Sequence, residues 1–332
     1  MLRITFLFIG IFLLSALATG LIRYYALTKN ILDVPNQRSS HHIPTPRGGG
    51  LAIVLSFTIG CLWLVWLQEI SFSLFAAISG GILVAIIGWI DDRGSTSPLY
   101  RAGVHGIAAL WAVYWINGLS PLSIGFNLLA FITIIWGINF YNFMDGIDGL
   151  AGMEGIFVSI SAAFILGIMG ELGFSVLCLL LGGVIAGFLM WNWPPAKIFM
   201  GDVGSGYLGY IFTVLALATA NLKILPLLFW IILAAVFVCD ATFTVLYRIF
   251  QNKRWYEAHC EHAYQRLVQL RQSHKRIVLG ILLMNVIVLF PVAVIVVYYP
   301  IQGVWLSAGT LTSLFVFWCL IMKRFACHIE LI

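Results

Sequence analysis

Long apolar runs separated by short polar segments repeat along the whole of this 332-residue chain. A run of about 20 predominantly apolar residues is long enough to cross a bilayer as a helix. The pattern therefore predicts an all-α, polytopic membrane protein with about eleven transmembrane helices, ten being the alternative count. The predicted spans are residues 3–23, 48–67, 71–90, 102–117, 121–141, 153–170, 174–192, 204–220, 226–249, 277–298 and 304–322.

The basic residues predict how the chain is oriented. If the N-terminus is outside, all but two of the 18 Lys and Arg residues, Arg3 and Lys223, fall on the inner side. Lys and Arg concentrate in the cytoplasmic loops of membrane proteins. We therefore expect an external N-terminus, a cytoplasmic C-terminus and one integral-membrane domain over residues 1–332. Its cytoplasmic active-site loops are expected near residues 24–47, 91–101, 142–152, 192–203 and 250–276.

The composition agrees with a membrane protein and argues against several other classes. Hydrophobic residues make up 61% of the chain and charged residues only 9%. The net charge of +5 is explained by cytoplasmic Lys and Arg residues, so no nucleic-acid partner is expected. The six cysteines are scattered, which indicates free thiols rather than disulfides or a zinc site. No internal repeat is visible, whereas many transporters contain one.

Acidic residues nevertheless interrupt the apolar pattern on the predicted inner face. A carboxylate at the edge of the hydrocarbon region is costly and marks a functional hypothesis. Asp91 and Asp92 follow the third predicted span. Their mutual repulsion favours a bound cation or proton, although the end of a helix can also be polar without any function.

A second cluster has a period of three residues, with Asn139, Asn142, Asp145 and Asp148. On a continuous helix this spacing predicts one polar stripe that drifts slowly around the axis. Polar residues in membrane helices can simply link neighbouring helices. Two amides and two carboxylates are more polarity than such a link requires, so we interpret the stripe as part of a binding site.

A third cluster, Gly201-Asp202-Val203-Gly204-Ser205, opens the eighth predicted span. Free backbone N–H groups at the start of a helix suit an anion such as phosphate. Asp202 is placed for Mg²⁺, a hard cation that binds carboxylates and substrate phosphates together. The alternative is that Asp202 only caps the helix.

The longest polar loop contains His259 and His262, with Arg266 one helical turn beyond. If this segment is helical, the three side chains form a cationic stripe. We favour phosphate binding over a zinc site because no third soft ligand is evident, and a solvated loop is the alternative. In the first loop, Arg47 precedes three glycines, which let the backbone approach a ligand closely.

These groups together suit phosphoryl transfer. Metal-binding acids, a helix start that accepts phosphate and basic side chains provide the positioning and charge neutralisation on which that reaction depends. A site at the cytoplasmic edge of the membrane implies one water-soluble phosphate substrate and one lipid substrate.

Four motifs resemble those of the polyprenyl-phosphate N-acetylhexosamine-1-phosphate transferases, in glycosyltransferase family 4. The resemblance covers essentially the whole chain, the motifs recur in family order, and the last two are highly specific. They are Pro46-Arg47-Gly48-Gly49-Gly50, Asp91-Asp92, Asn139-x-x-Asn142-x-x-Asp145-Gly146-x-Asp148-Gly149 and Asn192-x-Pro194-Pro195-Ala196-x-x-Phe199-Met200-Gly201-Asp202-x-Gly204-Ser205.

The resemblance implies an enzyme that transfers a sugar 1-phosphate from a UDP-N-acetylhexosamine to polyprenyl (undecaprenyl) phosphate and releases UMP. It implies Mg²⁺ as the cofactor, with Mn²⁺ as an alternative, and the bacterial inner (plasma) membrane as the location; a homodimer stays open. By motif, Asn142 and Asp202 are the implied metal ligands and Asp91 and Asp92 the implied catalytic residues near the lipid phosphate. Asp145 and Asp148, with Arg47, Asn139, Asn192, His259, His262 and Arg266, are the candidate substrate-binding residues.

The fourth loop departs from the family pattern. The peptidoglycan branch has three consecutive His residues where this chain has His259-Cys260-Glu261-His262. This difference argues against a muramoyl-pentapeptide substrate. It favours the subgroup that initiates O-antigen or related polysaccharides, where the sugar is of the GlcNAc, QuiNAc or FucNAc type. That subgroup often has His-x-His-His in this loop, and this chain matches it only at the first and fourth positions, His259 and His262. Whether Arg93 or Arg101 replaces the lysine near the acidic pair of the peptidoglycan branch stays open.

The expected mechanism is direct attack by a lipid phosphate oxygen on the β-phosphorus of the UDP-sugar. A phosphate monoester has a second pKa near 6, so Asp91 or Asp92 has only a residual proton to remove, or holds a cation. A covalent aspartyl intermediate is an alternative route. Two other functions compete: a cation- or proton-coupled transporter that uses the inner-face acids, and an inactive protein of the same fold that only binds lipid.

Overall fold

The protein is built almost entirely from helices. The computed structural model describes residues 2–35, 41, 43–94, 96–121, 123–254 and 259–330, with side chains from residue 6 to residue 326 within these ranges. The α-helices are α1 (Leu2–Thr28), α2 (Gly50–Trp66), α3 (Phe72–Ser79), α4 (Gly81–Asp91), α5 (Pro98–Asn117), α6 (Ile124–Phe143), α7 (Leu150–Ile168), α8 (Leu172–Asn192), α9 (Asp202–Asn221), α10 (Leu227–Leu233), α11 (Ala235–Phe250), α12 (Ala263–Gln269), α13 (His274–Met284), α14 (Phe290–Tyr298) and α15 (Pro300–Glu330). A π-helical segment, Asn285–Leu289, joins α13 to α14.

Within the described ranges, β-structure is limited to one short ribbon. Strands β1 (Leu32–Asp33) and β2 (Thr45–Pro46) pair antiparallel, with Leu32 opposite Pro46. The predicted all-α class is therefore confirmed. Arg38, which was counted for the orientation, lies outside the described residues, as do parts of the predicted loops 24–47, 91–101 and 250–276.

Each of the eleven predicted spans coincides with one helix or with consecutive helices. In the part of the chain that the structure describes, eight helical runs are long and apolar enough to cross a membrane, and nine if α10 and α11, bent by 82°, form one span. The two remaining predicted spans correspond to α2, which has 17 residues, and to α5. The protein is thus a multi-pass membrane protein, while the count of eleven and the orientation stay predictions.

Helix α9 lies at the centre of the bundle. Its apolar stretch is 94% buried, whereas those of α1 and α15 are only 17% buried. It packs against α2, α4 and α6, and α8 packs in turn against α7 and α1. The outer helices consequently face the lipid, and whatever binds at an end of α9 meets several helices at once.

A close approach between α2 and α9 brings the first loop to the third cluster. A Cβ atom on Gly50 would lie 2.5 Å from the backbone nitrogen of Gly204, so only glycine allows this contact. The backbone N–H groups of Gly49 and Gly50 donate to the carbonyls of Phe199 and Met200, each at 2.9 Å. The segment that follows Arg47 is therefore fixed beside the start of α9.

Candidate active site

The predicted acids converge at one end of the bundle, where α4 and α6 end and α7 and α9 begin. Asp145, between α6 and α7, shows this directly. Burial raises the pKa of its carboxyl well above the usual range, and the negative charges of Asp202, Asp92 and Asp148 raise it further. Carboxylates have this effect on one another only when they are close. Three clusters that are distant in sequence therefore form one acidic site.

Asp92 binds the start of α9 with both of its carboxylate oxygens. One oxygen accepts a hydrogen bond from the backbone N–H of Asp202 at 3.0 Å, and the other accepts one from Val203 at 3.2 Å. The side chain is only 3% exposed. Burial and then the charge of Asp202 raise its pKa to about 7, although the two N–H groups and the charge of Arg47 oppose this rise. Asp92 thus caps a helix that begins 110 residues later.

Gly201 makes room for this contact. Its φ of +74° lies in the left-handed region that favours glycine. A Cβ atom at this position would also collide with the carboxylate of Asp92. The glycine of the third motif is therefore required by the way in which α4 and α9 meet.

Arg101 connects two acids that the sequence separates widely. One guanidinium nitrogen, Nη1, lies 3.0 Å from Asp91 Oδ2 and 3.1 Å from Asp202 Oδ2. The other oxygen of Asp91 accepts a hydrogen bond from the backbone N–H of Thr96 at 2.8 Å. The arginine therefore neutralises part of the charge of both carboxylates and fixes their separation.

The two predicted metal ligands lie side by side. Asn142, in the last turn of α6, donates its side-chain N–H to the hydroxyl of Ser205 at 2.9 Å. It is also in hydrogen-bond contact with the carboxylate of Asp202. Ser205 in turn donates to the carbonyl of Gly201 at 3.1 Å. This network fixes the amide of Asn142 at the start of α9.

Asp148 is stabilised in its charged form. Burial works to raise the pKa of its carboxyl, but a hydrogen bond from His274 and one from the backbone N–H of Ala196 outweigh burial and lower it. The distances from Asp148 Oδ2 are 3.4 Å to His274 Nδ1 and 3.1 Å to the nitrogen of Ala196. Asp148 therefore ties the start of α7 to the segment before α9 and to α13.

The predicted polar stripe is only partly correct. Helix α6 ends at Phe143, so Asp145 and Asp148 lie in the connection to α7 and not on one continuous helix. Asn139 is on α6, but it donates its amide N–H back to the carbonyl of Ile135 at 2.7 Å. The acids reach the site because the chain turns there, with Gly149 at a φ of +76°.

Asn192 joins two segments that border the site. Its side chain is 3% exposed. The amide oxygen accepts from the backbone N–H of Gly149 at 3.0 Å, and the amide nitrogen donates to the carbonyl of Ile198 at 3.0 Å. Both polar groups are thus engaged by the backbone, so the structure gives Asn192 a positioning role.

The fourth loop does not form the predicted cationic stripe. Helix α12 begins one residue after His262, so His259 and His262 precede it. His262 is 2% exposed, and its Nδ1 lies 3.6 Å from a carboxylate oxygen of Asp240. Arg266 places its guanidinium 4.0 Å from the ring centre of Phe325 on α15. The stripe along one helix is therefore wrong, while a joint role of the three side chains in phosphate binding stays a prediction.

His259 is uncharged at neutral pH. Burial lowers the pKa of its imidazole to about 4, and the neighbouring His262 and Arg248 contribute in the same direction. Its ring centre lies 4.9 Å from that of His262. His259 can therefore offer a hydrogen bond to a ligand, but not the positive charge that the sequence suggested.

The buried Asp240 caps α12 much as Asp92 caps α9. Its carboxylate accepts hydrogen bonds from the backbone N–H groups of Ala263 at 2.8 Å and Tyr264 at 3.1 Å. The hydroxyl of Tyr264 donates to the carbonyl of Phe143, at the end of α6, at 2.9 Å. The fourth loop is thereby fastened to the helix that carries Asn142.

Comparison with known proteins shows which family the chain resembles. A family model described as glycosyl transferase family 4 matches residues 74–220, which contain Asp91, Asn142 and Asp202. A probable undecaprenyl-phosphate N-acetylglucosaminyl 1-phosphate transferase of Bacillus subtilis (strain 168) is 29% identical over 96% of this chain and 90% of that protein. Over the matched residues, the chain is similar to glycosyl transferase family 4.

Other relatives show the same similarity. A decaprenyl-phosphate N-acetylglucosaminephosphotransferase of Mycobacterium leprae (strain TN) is 28% identical over 87% of this chain and 82% of its own length. A phospho-N-acetylmuramoyl-pentapeptide-transferase of Limosilactobacillus fermentum is 28% identical, but over 60% of this chain and 69% of its own length. The family resemblance predicted from the motifs is confirmed.

The acidic site fits a hard divalent cation that a substrate helps to bind. Within the described ranges, no three His, Cys, Asp or Glu side chains surround a common point as a closed metal site would require. Mg²⁺, however, usually binds one or two carboxylates together with substrate phosphates. Asp202 and Asn142 offer such ligands, and the mutual repulsion of the neighbouring carboxylates favours an added positive charge.

The sequence analysis did not predict the roles of three residues at or near this site. Arg101 was noted as a basic residue, but its contact with Asp202 spans 101 positions and leaves no local signal. His274 lies 126 positions from Asp148. Asp240 interrupts an apolar run, which is the only sign in the sequence that it has a special role.

Proposed function

We propose that this protein transfers an N-acetylhexosamine 1-phosphate from a UDP-sugar to a polyprenyl phosphate, such as undecaprenyl phosphate, and releases UMP. The reaction takes place on the cytoplasmic face of a bacterial inner membrane and requires Mg²⁺, with Mn²⁺ as an alternative. The names of the Bacillus and Mycobacterium relatives support both the lipid acceptor and the amino-sugar phosphate.

The arrangement at the start of α9 carries this proposal. Asp202 and Asn142 lie next to Asp92, Asp145 and Asp148 at the end of a bundle of apolar helices. A site at such a helix end is accessible from water and borders the lipid at the same time. This position suits a reaction between a soluble nucleotide sugar and a lipid phosphate.

Asp202 and Asn142 are the residues that would hold the cation. Bound there, Mg²⁺ would neutralise negative charge on the diphosphate and on the leaving UMP. Arg101 keeps Asp91 and Asp202 at a fixed separation and supplies a permanent positive charge beside them. An oxygen of the acceptor phosphate attacks the β-phosphorus, a new P–O bond forms, and the bond from the β-phosphorus to the oxygen that it shares with the α-phosphorus breaks.

The contacts of the two adjacent acids support direct displacement over a covalent intermediate. Both oxygens of Asp92 accept hydrogen bonds from backbone N–H groups, and both oxygens of Asp91 are also engaged. A carboxylate held in this way is a poor nucleophile. With its pKa raised to about 7, Asp92 can still exchange the residual proton of an acceptor phosphate near neutral pH.

The sugar is an N-acetylhexosamine of the GlcNAc, QuiNAc or FucNAc type, and the product starts an O-antigen or related cell-envelope polysaccharide. The names of two relatives contain N-acetylglucosamine, which favours GlcNAc as the first donor to test. The partial coverage of the muramoyl-pentapeptide relative and the altered fourth loop argue against a peptidoglycan precursor.

The reaction is tested by following UMP release from purified protein with undecaprenyl phosphate, Mg²⁺ and a panel of UDP-GlcNAc, UDP-QuiNAc and UDP-FucNAc. We expect UMP and a lipid-linked sugar diphosphate with one of these donors, and none with undecaprenol in place of the phosphate. Absence of UMP with every donor, from protein that still unfolds cooperatively, would refute the proposal.

The transporter alternative receives no support from the relatives, whose names describe transferases. A transporter would move its solute without consuming a nucleotide sugar. Acceptor-dependent release of UMP in detergent, where no membrane separates two compartments, distinguishes the two functions.

A further inference from the structure

A cavity of about 690 Å³ lies between α12, α13 and α15. Helix α12 packs against both α13 and α15, and residues of all three helices line the cavity. Its volume is within the range of about 300–1,000 Å³ that is typical of ligand pockets. The apolar stretches of His274–Tyr298 and Pro300–Ala326 are only 28% and 17% buried, so the cavity borders the lipid.

The walls of this cavity are apolar along α13 and α15. Ile277, Ile281 and Met284 line it from α13, at a spacing that places them on one face of the helix. Phe317 lines it from α15 and is 50% exposed. Gly280 leaves space in the wall, since a Cβ atom there would meet no neighbouring group within 4 Å. The cavity can therefore accept a hydrocarbon chain.

Two arginines line the same cavity. Arg276 lies in the first turn of α13, and Arg324 lies near the end of α15. Both side chains are exposed, and among the described residues neither forms an ion pair with a carboxylate. Charged donors that lack a protein acceptor can bind an external anion.

The sequence around these arginines contains only positive charge. Residues 262–329 include no Asp or Glu, although they hold six of the 18 Lys and Arg residues of the chain. These six are Arg266, Arg271, Lys275, Arg276, Lys323 and Arg324. All of them lie on α12, near the start of α13 or near the end of α15. A basic pocket between membrane helices suits the phosphate of an anionic lipid headgroup.

The cavity does not face the acidic site. On α13, His274 contacts Asp148, and Arg276 follows two positions later. At 3.6 residues per turn, two positions correspond to about 200° around the helix axis. Arg276 therefore points away from the acids, and an anion beside it is not placed to react there.

We propose that this cavity binds an anionic membrane phospholipid. Its phosphate lies between Arg276 and Arg324, and an acyl chain lies along Ile281 and Phe317. This ligand is neither of the two substrates of the proposed function, because a substrate phosphate has to reach Asp202. Charge complementarity selects an anionic headgroup, and the apolar walls select a lipid over a free phosphate.

A lipid in this position would also contact the fourth loop. Leu267 and Leu270 line the cavity from α12. The start of α12 is capped by Asp240, and Tyr264 fastens it to the carbonyl of Phe143 at the end of α6. A bound phospholipid therefore stabilises the packing of α12, and this effect is measurable without turnover.

Lipid binding to the purified protein in detergent tests the proposal. Delipidated protein is titrated with dioleoylphosphatidylglycerol and, separately, with dioleoylphosphatidylcholine, which has the same chains but no net charge, and bound lipid is counted by native mass spectrometry. We expect Arg276→Gln and Arg324→Gln each to weaken phosphatidylglycerol binding about tenfold, the scale of one charge-assisted hydrogen bond. Phosphatidylcholine binding should not change. Equal affinity of the wild type for both lipids would overturn the proposal.

Lys275→Gln and Lys323→Gln are the matched controls. Each lysine is exposed and directly precedes one of the two arginines in sequence, but it does not line the cavity. Each control removes one positive charge and should bind phosphatidylglycerol like the wild type. Equal losses in all four variants would mean that only the general surface charge matters, and would overturn the assignment.

Gly280→Leu tests the apolar part of the cavity. The added side chain enters open space and leaves both arginines in place, so the protein should fold but lose tight phosphatidylglycerol binding. Phosphatidylglycerol should also raise the Tm of the wild type and not that of Arg276→Gln/Arg324→Gln. Displacement of the lipid by inorganic phosphate would reduce the site to an anion site. Displacement by equimolar undecaprenyl phosphate would make it an acceptor site. Either result would overturn the proposal.

Discussion

At the scale of single residues, the acids of the site differ in the groups that compensate their charge. Asp92 has two backbone N–H groups, Asp148 has His274, and Asp91 shares Arg101 with Asp202. Among the described residues, no side chain compensates Asp145, and its pKa is raised by burial and then by its acidic neighbours. The site therefore favours an added proton or a bound cation.

Substitution of Arg101 tests how much the site depends on the positive charge beside Asp91 and Asp202. We expect Arg101→Gln to lower kcat about 10²-fold, because Asp91 and Asp202 would lose the group that fixes and neutralises them. Arg101→Lys keeps the charge but not the planar guanidinium, so it should retain an intermediate activity. The measurement is steady-state UMP release at saturating concentrations of both substrates, and a kcat for Arg101→Gln within twofold of the wild type would contradict the bridging role.

Asp202→Asn tests the proposed metal ligand. The substitution keeps the size of the side chain and removes the charge, so turnover should fall at least about 10²-fold. A role in metal binding also predicts that the concentration of Mg²⁺ needed for half-maximal activity increases. Activity within twofold of the wild type, with an unchanged Mg²⁺ requirement, would leave Asp202 as a helix-start residue without a role in the reaction.

His259 should make stability depend on pH in a defined direction. The folded protein lowers its pKa from 6.5 to about 4, so the unfolded chain takes up a proton first as the pH falls. The stability that neutral His259 contributes is complete above about pH 6.5 and is lost towards pH 4. The thermal stability of the wild type relative to His259→Gln should therefore decrease between pH 7 and pH 5. A difference in Tm that stays constant over this range would contradict the burial of the imidazole.

At the scale of helices and loops, sequence patterns predict where polar residues interrupt the spans but not how the helix ends meet. Period-three spacing predicted one stripe from Asn139 to Asp148, yet α6 ends at Phe143 because the segment up to Gly149 turns. The caps of α9 by Asp92 and of α12 by Asp240 come from other helices. Such contacts depend on packing between distant segments, which local spacing does not encode.

A buried polar pair joins α7 to the π-helical segment. Glu154 and Asn285 are each 1% exposed, and the amide of Asn285 donates to a Glu154 oxygen at 2.6 Å. A buried polar group without a partner destabilises a protein by about 1–3 kcal/mol. We therefore expect Asn285→Leu to lower the Tm, measured by thermal unfolding in detergent.

The double variant Glu154→Leu/Asn285→Leu is the control for this pair. It removes both polar groups and should recover most of the stability that Asn285→Leu loses. If Asn285→Leu were as stable as the wild type, the hydrogen bond would make no net contribution to the packing of these helices.

At the scale of the whole molecule, each predicted apolar run coincides with one helix or with consecutive helices in the described part of the chain, because hydrocarbon requires long continuous helices whatever their packing. The same runs do not predict which helix lies at the centre of the bundle. The position of α9 follows from small residues such as Gly204, which admit neighbouring helices, and this required the structure. The motifs likewise indicated which acids form the site, while the contacts of Arg101 with Asp91 and Asp202 depend on helix packing.

The orientation is the last prediction, and it decides whether the acidic site faces the cytoplasm. If all eleven helical segments span the membrane, the connections at residues 68–71, 118–120, 171–173, 221–225 and 299–303 lie at the end opposite to Asp202.

Lys223, in one of these connections, and Lys197, near the acidic site, form a matched pair of exposed lysines. In intact cells, Lys223→Cys should react with a membrane-impermeant maleimide, whereas Lys197→Cys should react only after the membrane is opened. The parent protein, with its own cysteines, provides the background signal. Labelling of Lys197→Cys in intact cells would reverse the topology and place the site on the outer face, away from any cytoplasmic UDP-sugar.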